Sequence, residues 1–302
     1  RYQEPMLEAL RVERDREHHK NLLLAPTGTG KTFAFGGPPL DEDARRLHAR
    51  VRNVLHVTDP ERLAVLRSLA NDGPLSLTHP GSAETEARLL AMAAAALLDC
   101  RRPAGALAEL EAAGQHPSFR AELSQLLDVI EDTNRDLTLA WLPGGPLAPA
   151  PLHIHARYRQ EEVLVSFNVV GERSPQIPRL QAGVFYVEED NVDLLFVTLK
   201  KIDAGFSPTT MYRDCAMSPT RFHQTLPTLA RRLVVAISRD IATCPSSRAR
   251  RRNSRKGVAE PYWFPGAVTL ESASGERPMR IVWRLEHPMP KHLYQRATLA
   301  VG

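Results

Sequence analysis

The chain has 302 residues, of which 43% are hydrophobic, 25% are charged and 6% are aromatic. This length supports about two domains, and the composition excludes collagen-like, largely disordered and membrane-spanning classes of protein. The formal net charge of +4 is uneven, because residues 221–256 contain ten Lys or Arg against the single Asp240, a local +9 that leaves −5 elsewhere. Since the chain begins at Arg1 rather than at a methionine, we expect an excerpt of a longer product.

The expected cellular location of the protein follows from the length of its apolar stretches and from the number and spacing of its cysteines. The longest apolar stretch is far shorter than the ~18 to 20 residues that a bilayer requires, and the first residues do not resemble a signal peptide. Cys100, Cys215 and Cys244 are odd in number and widely spaced, which favours neither a disulfide framework nor a cysteine zinc site. We therefore expect a cytoplasmic protein with reduced thiols and no membrane partner.

The first half of the chain has mainly helical patterns. Residues 1–20 have near-helical apolar spacing, and the apolar run at 21–24 predicts a buried strand that stops at Pro26. Ser82 is predicted to cap a helix whose first turn is acidic. Helical patterns after the loop cover the segments 41–51, 82–99, 104–113 and 118–133.

The second half changes character after a proline-rich segment at 143–151, which predicts a linker. Residues 229–241 favour one helix, but β-branched or aromatic runs predict strands at 163–170, 183–188, 192–199, 266–270 and 279–285. The predicted fold class is α+β. Its parts are a remnant P-loop α/β unit at 1–40, a helical region at 41–142, the linker at 143–151 and a β-rich domain at 152–302.

Residues 25–32, Ala-Pro-Thr-Gly-Thr-Gly-Lys-Thr, contain the Gly-Lys-Thr core of a nucleotide-binding loop. Small residues let backbone N–H groups approach phosphates, Lys31 can meet the β and γ phosphates, and the Thr32 hydroxyl can hold Mg²⁺. The loop, with Ala25 in place of the first glycine, resembles motif I of superfamily 2 helicases, and Tyr2-Gln3 resembles their adenine-reading element. The resemblance implies ATP and Mg²⁺ as cofactors, bound by Gln3, Thr27, Gly28, Thr29, Gly30, Lys31 and Thr32.

A working ATPase also needs an acidic residue that completes the Mg²⁺ site. Asp41-Glu42-Asp43 looks like a DExD box but lies only nine residues after Thr32, with no room for the intervening helix and strand. We interpret it as a solvated helix start. No catalytic residue is predicted for the chain, and the remainder of the helicase core is missing from it.

A second resemblance covers most of the remaining chain. Residues 55–63, Leu-His-Val-Thr-Asp-Pro-Glu-Arg-Leu, resemble the helical segment that follows the motor in bacterial superfamily 2 helicases of the DEAD/DEAH-like, type III restriction-type group. Further segments resemble the DUF3427 domain that ends those helicases. They are Tyr158 and residues 183–184, 193–200, 206–214, 222–223 and 276–285. The resemblance implies a restriction or anti-phage setting, DNA as a partner, and helicase or nuclease domains supplied by another chain.

These matches lead to two hypotheses of function. The first is a truncated helicase-family protein that is nucleic-acid-associated and lacks complete helicase activity. The alternative is an ATP-binding, DNA-dependent ATPase or helicase subunit that another chain completes. They differ in whether the loop at 25–32 still supports ATP hydrolysis.

The stretch 224–256 departs from the family pattern, because it is rich in Arg, Ser, Ala and Thr and has no aromatic residue. Paired frameshifts in the encoding DNA would produce such a block, which is our hypothesis for its origin. Its cations are candidates for phosphate contacts, and a solvated basic loop without a ligand is the alternative. The candidate nucleic-acid-binding residues are Lys200, Lys201, Arg248, Arg250, Arg251, Arg252, Arg255 and Lys256.

Three further candidates are weighed against simpler structural roles. Asp193 and Lys200 have the spacing of a metal-dependent nuclease motif, but Thr198 replaces the required acid, so a buried strand is preferred. His153 and His155 lack a recognisable third metal ligand and are expected to be exposed. The tryptophans Trp263 and Trp283 are predicted to pack in the core rather than to stack on bases.

Overall fold

A computed structural model describes residues 42–71, 82–137, 139–141, 150–170, 175–178, 180, 183–198, 215–226, 233–239, 261–275 and 279–299. The predicted remnant P-loop unit at 1–40 lies outside these residues. Helices and strands occur together in the described chain, so the mixed α and β class is confirmed. None of the described helices is long and apolar enough to cross a membrane.

The described residues between 42 and 134 contain five α-helices, and four of them fall on the predicted helical patterns. Ser82 caps the third helix, since the Ser82 Oγ accepts a hydrogen bond from the backbone N–H of Thr85 at 3.3 Å. Short 3-10 turns at 52–54 and 103–105 connect neighbouring helices. The helices are α1 Glu42–Val51, α2 Pro60–Ala70, α3 Ala83–Leu98, α4 Ala106–Gly114 and α5 Pro117–Asn134.

Beyond the helical region the chain is mainly β, in agreement with the sequence patterns. The strands are β1 Ala140–Trp141, β2 His153–Ile154, β3 Arg157–Tyr158, β4 Val184–Val187, β5 Val192–Thr198, β6 Cys215–Ser218, β7 Arg221–Leu226, β8 Leu233–Arg239, β9 Tyr262–Ser274 and β10 Met279–Leu285. Two further helices are α6 Gln160–Ser166 and α7 Lys291–Leu299.

One mixed sheet organises most of these strands. Its order is β4-β5-β8-β9-β10-β7-β6, and β3 pairs with the start of β9. The β5–β8 pair is parallel, and the other pairs are antiparallel. β1 and β2 form a separate short antiparallel pair.

The sheet is buried on both faces where its central strands meet the rest of the chain. Alternate residues of a strand point to opposite faces, so Phe196 packs with the helical region while Val197 packs into a second apolar cluster. That second cluster contains Trp263, Trp283 and Leu293 of α7. The two tryptophans are 5% and 1% exposed, which confirms their predicted core role.

The larger apolar core crosses the predicted linker. It contains Val54 and Leu66 of the helical region together with Leu152, Leu164 and Phe264 from beyond residue 151. Residues on both sides of the linker therefore share one core, and the first part of the β-rich region packs directly on the helices.

The strand predicted at 163–170 is wrong, because residues 160–166 form α6. Glu161 and Glu162 stand in the first turn of this helix, and the Glu162 side chain accepts a hydrogen bond from the backbone N–H of Arg159. A buried Val-Leu-Val run fits a helix and a strand equally well. The acidic first turn was the local signal that favoured the helix.

The helix predicted at 229–241 is also wrong over residues 233–239, which form β8. This strand pairs in parallel with β5 and antiparallel with β9. Its β-branched residues suit a strand, and pairing with two neighbours outweighs a weak helical pattern. The frameshift hypothesis for 224–256 concerns the encoding DNA and stays a prediction.

Candidate functional site

The structure tests neither of the two binding sets predicted from the sequence. The nucleotide-binding set, Gln3 with 27–32, and the phosphate-contacting set, Lys200 and Lys201 with 248–256, lie outside the described residues. Both stay predictions. Asp193 lies in β5 and is 8% exposed, as expected for a buried strand residue. Within the described part of the chain, no group of three His, Cys, Asp or Glu side chains is placed to hold a metal ion.

The predicted exposure of His153 and His155 is wrong. His153 is buried, and its Nε2 bonds the Glu61 carboxylate on α2. His155 is partly buried, and its ring stacks on the Trp263 ring with centroids 5.3 Å apart and planes 4° apart. Tertiary packing after the linker brings each histidine against a residue that is distant in sequence, which the local pattern did not reveal.

A buried polar network connects the helical region with the chain beyond the linker. Asp59, Arg62 and Glu162 are each 0% exposed, and His56 is 8% exposed. Asp59 caps α2: its Oδ1 accepts from the Arg62 backbone N–H at 3.0 Å and its Oδ2 from Arg62 Nε at 2.6 Å. Pro60 follows at the first helical position, where its missing N–H costs nothing.

Arg62 makes the connection between the two regions. Its Nη1 donates to Glu162 Oε1, and its Nη2 donates to the backbone carbonyl of Arg157 at 2.6 Å. The guanidinium carbon lies 4.1 Å from the centre of the Tyr158 ring, a cation–π geometry. One side chain of α2 therefore contacts both β3 and α6.

Glu162 closes the network from the other side. Its Oε2 accepts from His56 Nε2 at 2.7 Å and from the backbone N–H of Arg159. The Arg159 side chain donates to the carbonyl of Asn53 at 2.7 Å and to that of Ala96 at 3.2 Å. The start of α6 is thereby fixed against the 3-10 turn at 52–54 and the last turn of α3.

Burial and charge act in opposite directions on these groups. Burial alone would raise the pKa of Glu162, but the charges of Arg62 and His56 and the hydrogen bonds to Glu162 lower it from 4.5 to about 2. Burial alone would lower the pKa of Arg62, but Asp59 and Glu162 raise it above its ordinary value. At neutral pH, Glu162 is therefore an anion held against the Arg62 cation inside the protein.

This arrangement suits a structural role better than catalysis. A general acid or base works best with a pKa near the working pH, whereas the pKa of Glu162 is about 2. Both oxygens of Asp59 and of Glu162 already accept hydrogen bonds from the network. The network can hold two regions of the chain in a fixed geometry, and it has no oxygen left over for a substrate proton.

The sequence could reveal the local part of this network around Asp59 but not its long-range part. Asp59, Pro60 and Arg62 match an N-cap, a first-turn proline and a side chain at the third helical position. Glu162 lies 100 residues further along the chain, and no local pattern identifies it as the partner of Arg62. The sequence of residues 55–63 therefore shows a resemblance to a helicase segment, but it does not show that Arg62 pairs with Glu162.

Comparisons with known proteins add no assignment to this geometry. No protein-family model, curated protein or solved structure matched the chain. The resemblance to superfamily 2 helicases with a DUF3427 domain therefore rests on the motifs named above and stays a prediction.

Replacing Glu162 by Gln should destabilise the protein by about 3–5 kcal/mol at neutral pH, because the buried Arg62 charge would lose one of its two carboxylate partners. The Glu162 pKa is about 2 when folded and 4.5 ordinarily, so the contribution of its charge is complete above pH 4.5 and is lost as the pH falls towards 2. The difference between native and variant in urea unfolding should shrink over that range.

Glu131→Gln is the matched control, because Glu131 also pairs with an arginine of α2, Arg67, but is 45% exposed. An exposed pair of this kind contributes about 0–1 kcal/mol, so the control should unfold almost as the native chain does. Equal stabilities for the two glutamine variants would contradict a structural role for the buried pair.

Proposed function

We propose that this chain is a truncated relative of superfamily 2 helicases with a DUF3427-like terminal domain, and that it associates with nucleic acid without unwinding it. The observation that carries this proposal is the Arg62–Glu162 pair. It joins residues 55–63, which resemble the segment after the motor, to the chain around Tyr158, which resembles the terminal domain. A 0% exposed ion pair links these two segments.

A shared core supports the same interpretation. Apolar residues of α2 and α3 and those that follow residue 151 belong to one cluster, so the segment that resembles the post-motor helices packs with the segment that resembles the terminal domain. Both carboxylates of the network already accept hydrogen bonds within this body. A binding or positioning role fits such a body better than an autonomous catalytic one.

The remaining parts of the proposal extend from the sequence. Residues 1–40 would be a remnant of the P-loop lobe, and the protein would act in the cytoplasm in a restriction or anti-phage setting. Helicase or nuclease domains on another chain would supply the chemistry. The basic segment 248–256 would contact DNA through its phosphates, since clustered cations release condensed counterions on binding.

Replacing Arg250, Arg251 and Arg252 together by Ala should weaken duplex DNA binding and flatten its salt dependence. The slope of log affinity against log salt should fall by about 0.9 for each phosphate that the variant no longer neutralises. Fluorescence anisotropy over a series of salt concentrations measures both effects.

The matched control removes three exposed arginines, Arg46, Arg50 and Arg52, from the helical region. It removes the same charge, so an effect of net charge alone would change both variants equally. Equal binding by the two triple variants would rule out the basic segment as the contact, and no binding by the native chain would rule out the nucleic-acid role.

The alternative function is a DNA-dependent ATPase subunit, and the sequence of residues 25–32 favours it. It requires Mg²⁺-dependent ATP hydrolysis that DNA stimulates and that Lys31→Ala abolishes. Our proposal instead predicts no hydrolysis above that of the Lys31→Ala variant, because no carboxylate in the sequence completes the Mg²⁺ site. A phosphate-release assay on both proteins, with and without DNA, separates the two functions.

A further inference from the structure

A serine, a histidine and a glutamate meet where α1 packs on α5. His48 lies on α1 and is buried, while Ser118 and Glu122 lie on α5. The two α5 residues are four positions apart, so they share one face of the helix. His48 Nε2 lies 3.2 Å from Ser118 Oγ, and His48 Nδ1 contacts the Glu122 carboxylate. The histidine ring therefore stands between a hydroxyl and a carboxylate.

The chemistry of the two partners determines which ring nitrogen carries the proton. An ionised carboxylate accepts hydrogen bonds but does not donate them, so Nδ1 of His48 donates to Glu122. In the neutral ring, Nε2 then has an available lone pair and accepts the hydrogen bond of the Ser118 hydroxyl. This is the arrangement of a nucleophile within about 2.6–3.2 Å of a general base that a third group orients.

The first turn of α5 places backbone donors next to the same serine. Pro117 has no N–H, and the Arg120 N–H donates to the carbonyl of His116 at 3.1 Å. The N–H groups of Ser118 and Phe119 have no backbone acceptor among the described residues, as is usual for a first turn. Such N–H groups can stabilise the negative oxygen that forms when a serine attacks a carbonyl carbon.

Ser118 lies at the surface of the protein, where a small molecule can reach it. It is partly exposed, and its neighbours on the helix, Pro117 and Ala121, are exposed. The opposite face of α5 points into the core with Phe119 and Leu123, which are both 0% exposed. A surface position of this kind suits a small carboxylic ester that approaches from solvent.

We propose that Ser118 is an activated nucleophile that hydrolyses small carboxylic esters, with His48 as its general base and Glu122 as a positioning residue. Ser118 Oγ attacks the carbonyl carbon while its proton passes to His48 Nε2. The tetrahedral intermediate collapses, and the departing alcohol takes that proton, which leaves the acyl group on Ser118. Water then attacks the acyl group and gives a proton to Nε2, and the acid departs as Oγ recovers the proton. This site is separate from the Arg62–Glu162 network and independent of the proposed nucleic-acid role.

The first test labels the native chain with phenylmethanesulfonyl fluoride, which sulfonylates a nucleophilic serine with loss of fluoride, and locates the label by peptide mass spectrometry. Ser124 is the internal control, because it is also a partly exposed serine of α5, but its Oγ lies 3.2 Å from Arg67 Nη1. Ser118 should react about 100-fold faster than Ser124, since a general base contributes about 10²–10⁴-fold. The chain unfolded in urea should lose this selectivity. Equal labelling of the two serines in the folded chain would overturn the proposal.

The second test assigns the roles by following the hydrolysis of p-nitrophenyl acetate. Ser118→Ala and His48→Gln should each lower the rate about 100-fold or more, and Ser124→Ala should react as the native chain does. Glu122→Gln should also be slow, whereas Glu122→Asp keeps the carboxylate and should recover part of the rate, which lost packing alone would not produce. Circular dichroism verifies that each variant is folded, and the labelling of the native chain decides the question if His48→Gln is not. Hydrolysis that Ser118→Ala leaves unchanged would contradict the proposal.

Discussion

A charge buried out of water must have a partner, and Arg62 has two, Asp59 just before it in sequence and Glu162 100 residues away. This single requirement links the first turn of α2 to the first turn of α6. Asp59 also bonds Arg62, and His56 also bonds Glu162, so residues just before α2 belong to the same junction.

The junction determines how the sheet meets the helices. Arg62 bonds the carbonyl of Arg157 beside Tyr158, and β3 pairs Tyr158 with Tyr262 of β9. β9 is a central strand, so this contact links a helical side chain to the middle of the sheet. The helical region and the chain beyond the linker also share one apolar core, so they pack directly on each other.

The sequence predicted local features well and long-range ones poorly. Ser82 as a cap and β10 at 279–285 follow from residue type and periodicity. Residues 163–170 and 229–241 were misassigned because short buried apolar runs fit both kinds of element, and partners elsewhere decide between them. The polar contacts were missed for the same reason, since the partners lie far apart in the sequence: Glu162 bonds Arg62, and Trp263 stacks on His155. The sequence did predict motifs that the described residues do not include, among them the loop at 25–32.

The cluster around Arg62 and Glu162 and the one around His155 and Trp263 differ in how their polar groups are paired. Around Arg62 and Glu162, carboxylates and cations are paired and the oxygens are satisfied. Around His155 and Trp263, donors collect without a carboxylate, and two buried nitrogens have no partner in the described chain.

The most direct test of the central claim follows urea unfolding with two probes. Far-ultraviolet circular dichroism reports the helices, and tryptophan fluorescence reports the sheet, where two of the three tryptophans, Trp263 and Trp283, are buried. A single body fixed by the Arg62–Glu162 junction predicts coincident transitions for the two probes. Loss of the helical signal at a urea concentration that leaves the tryptophan signal native would contradict it.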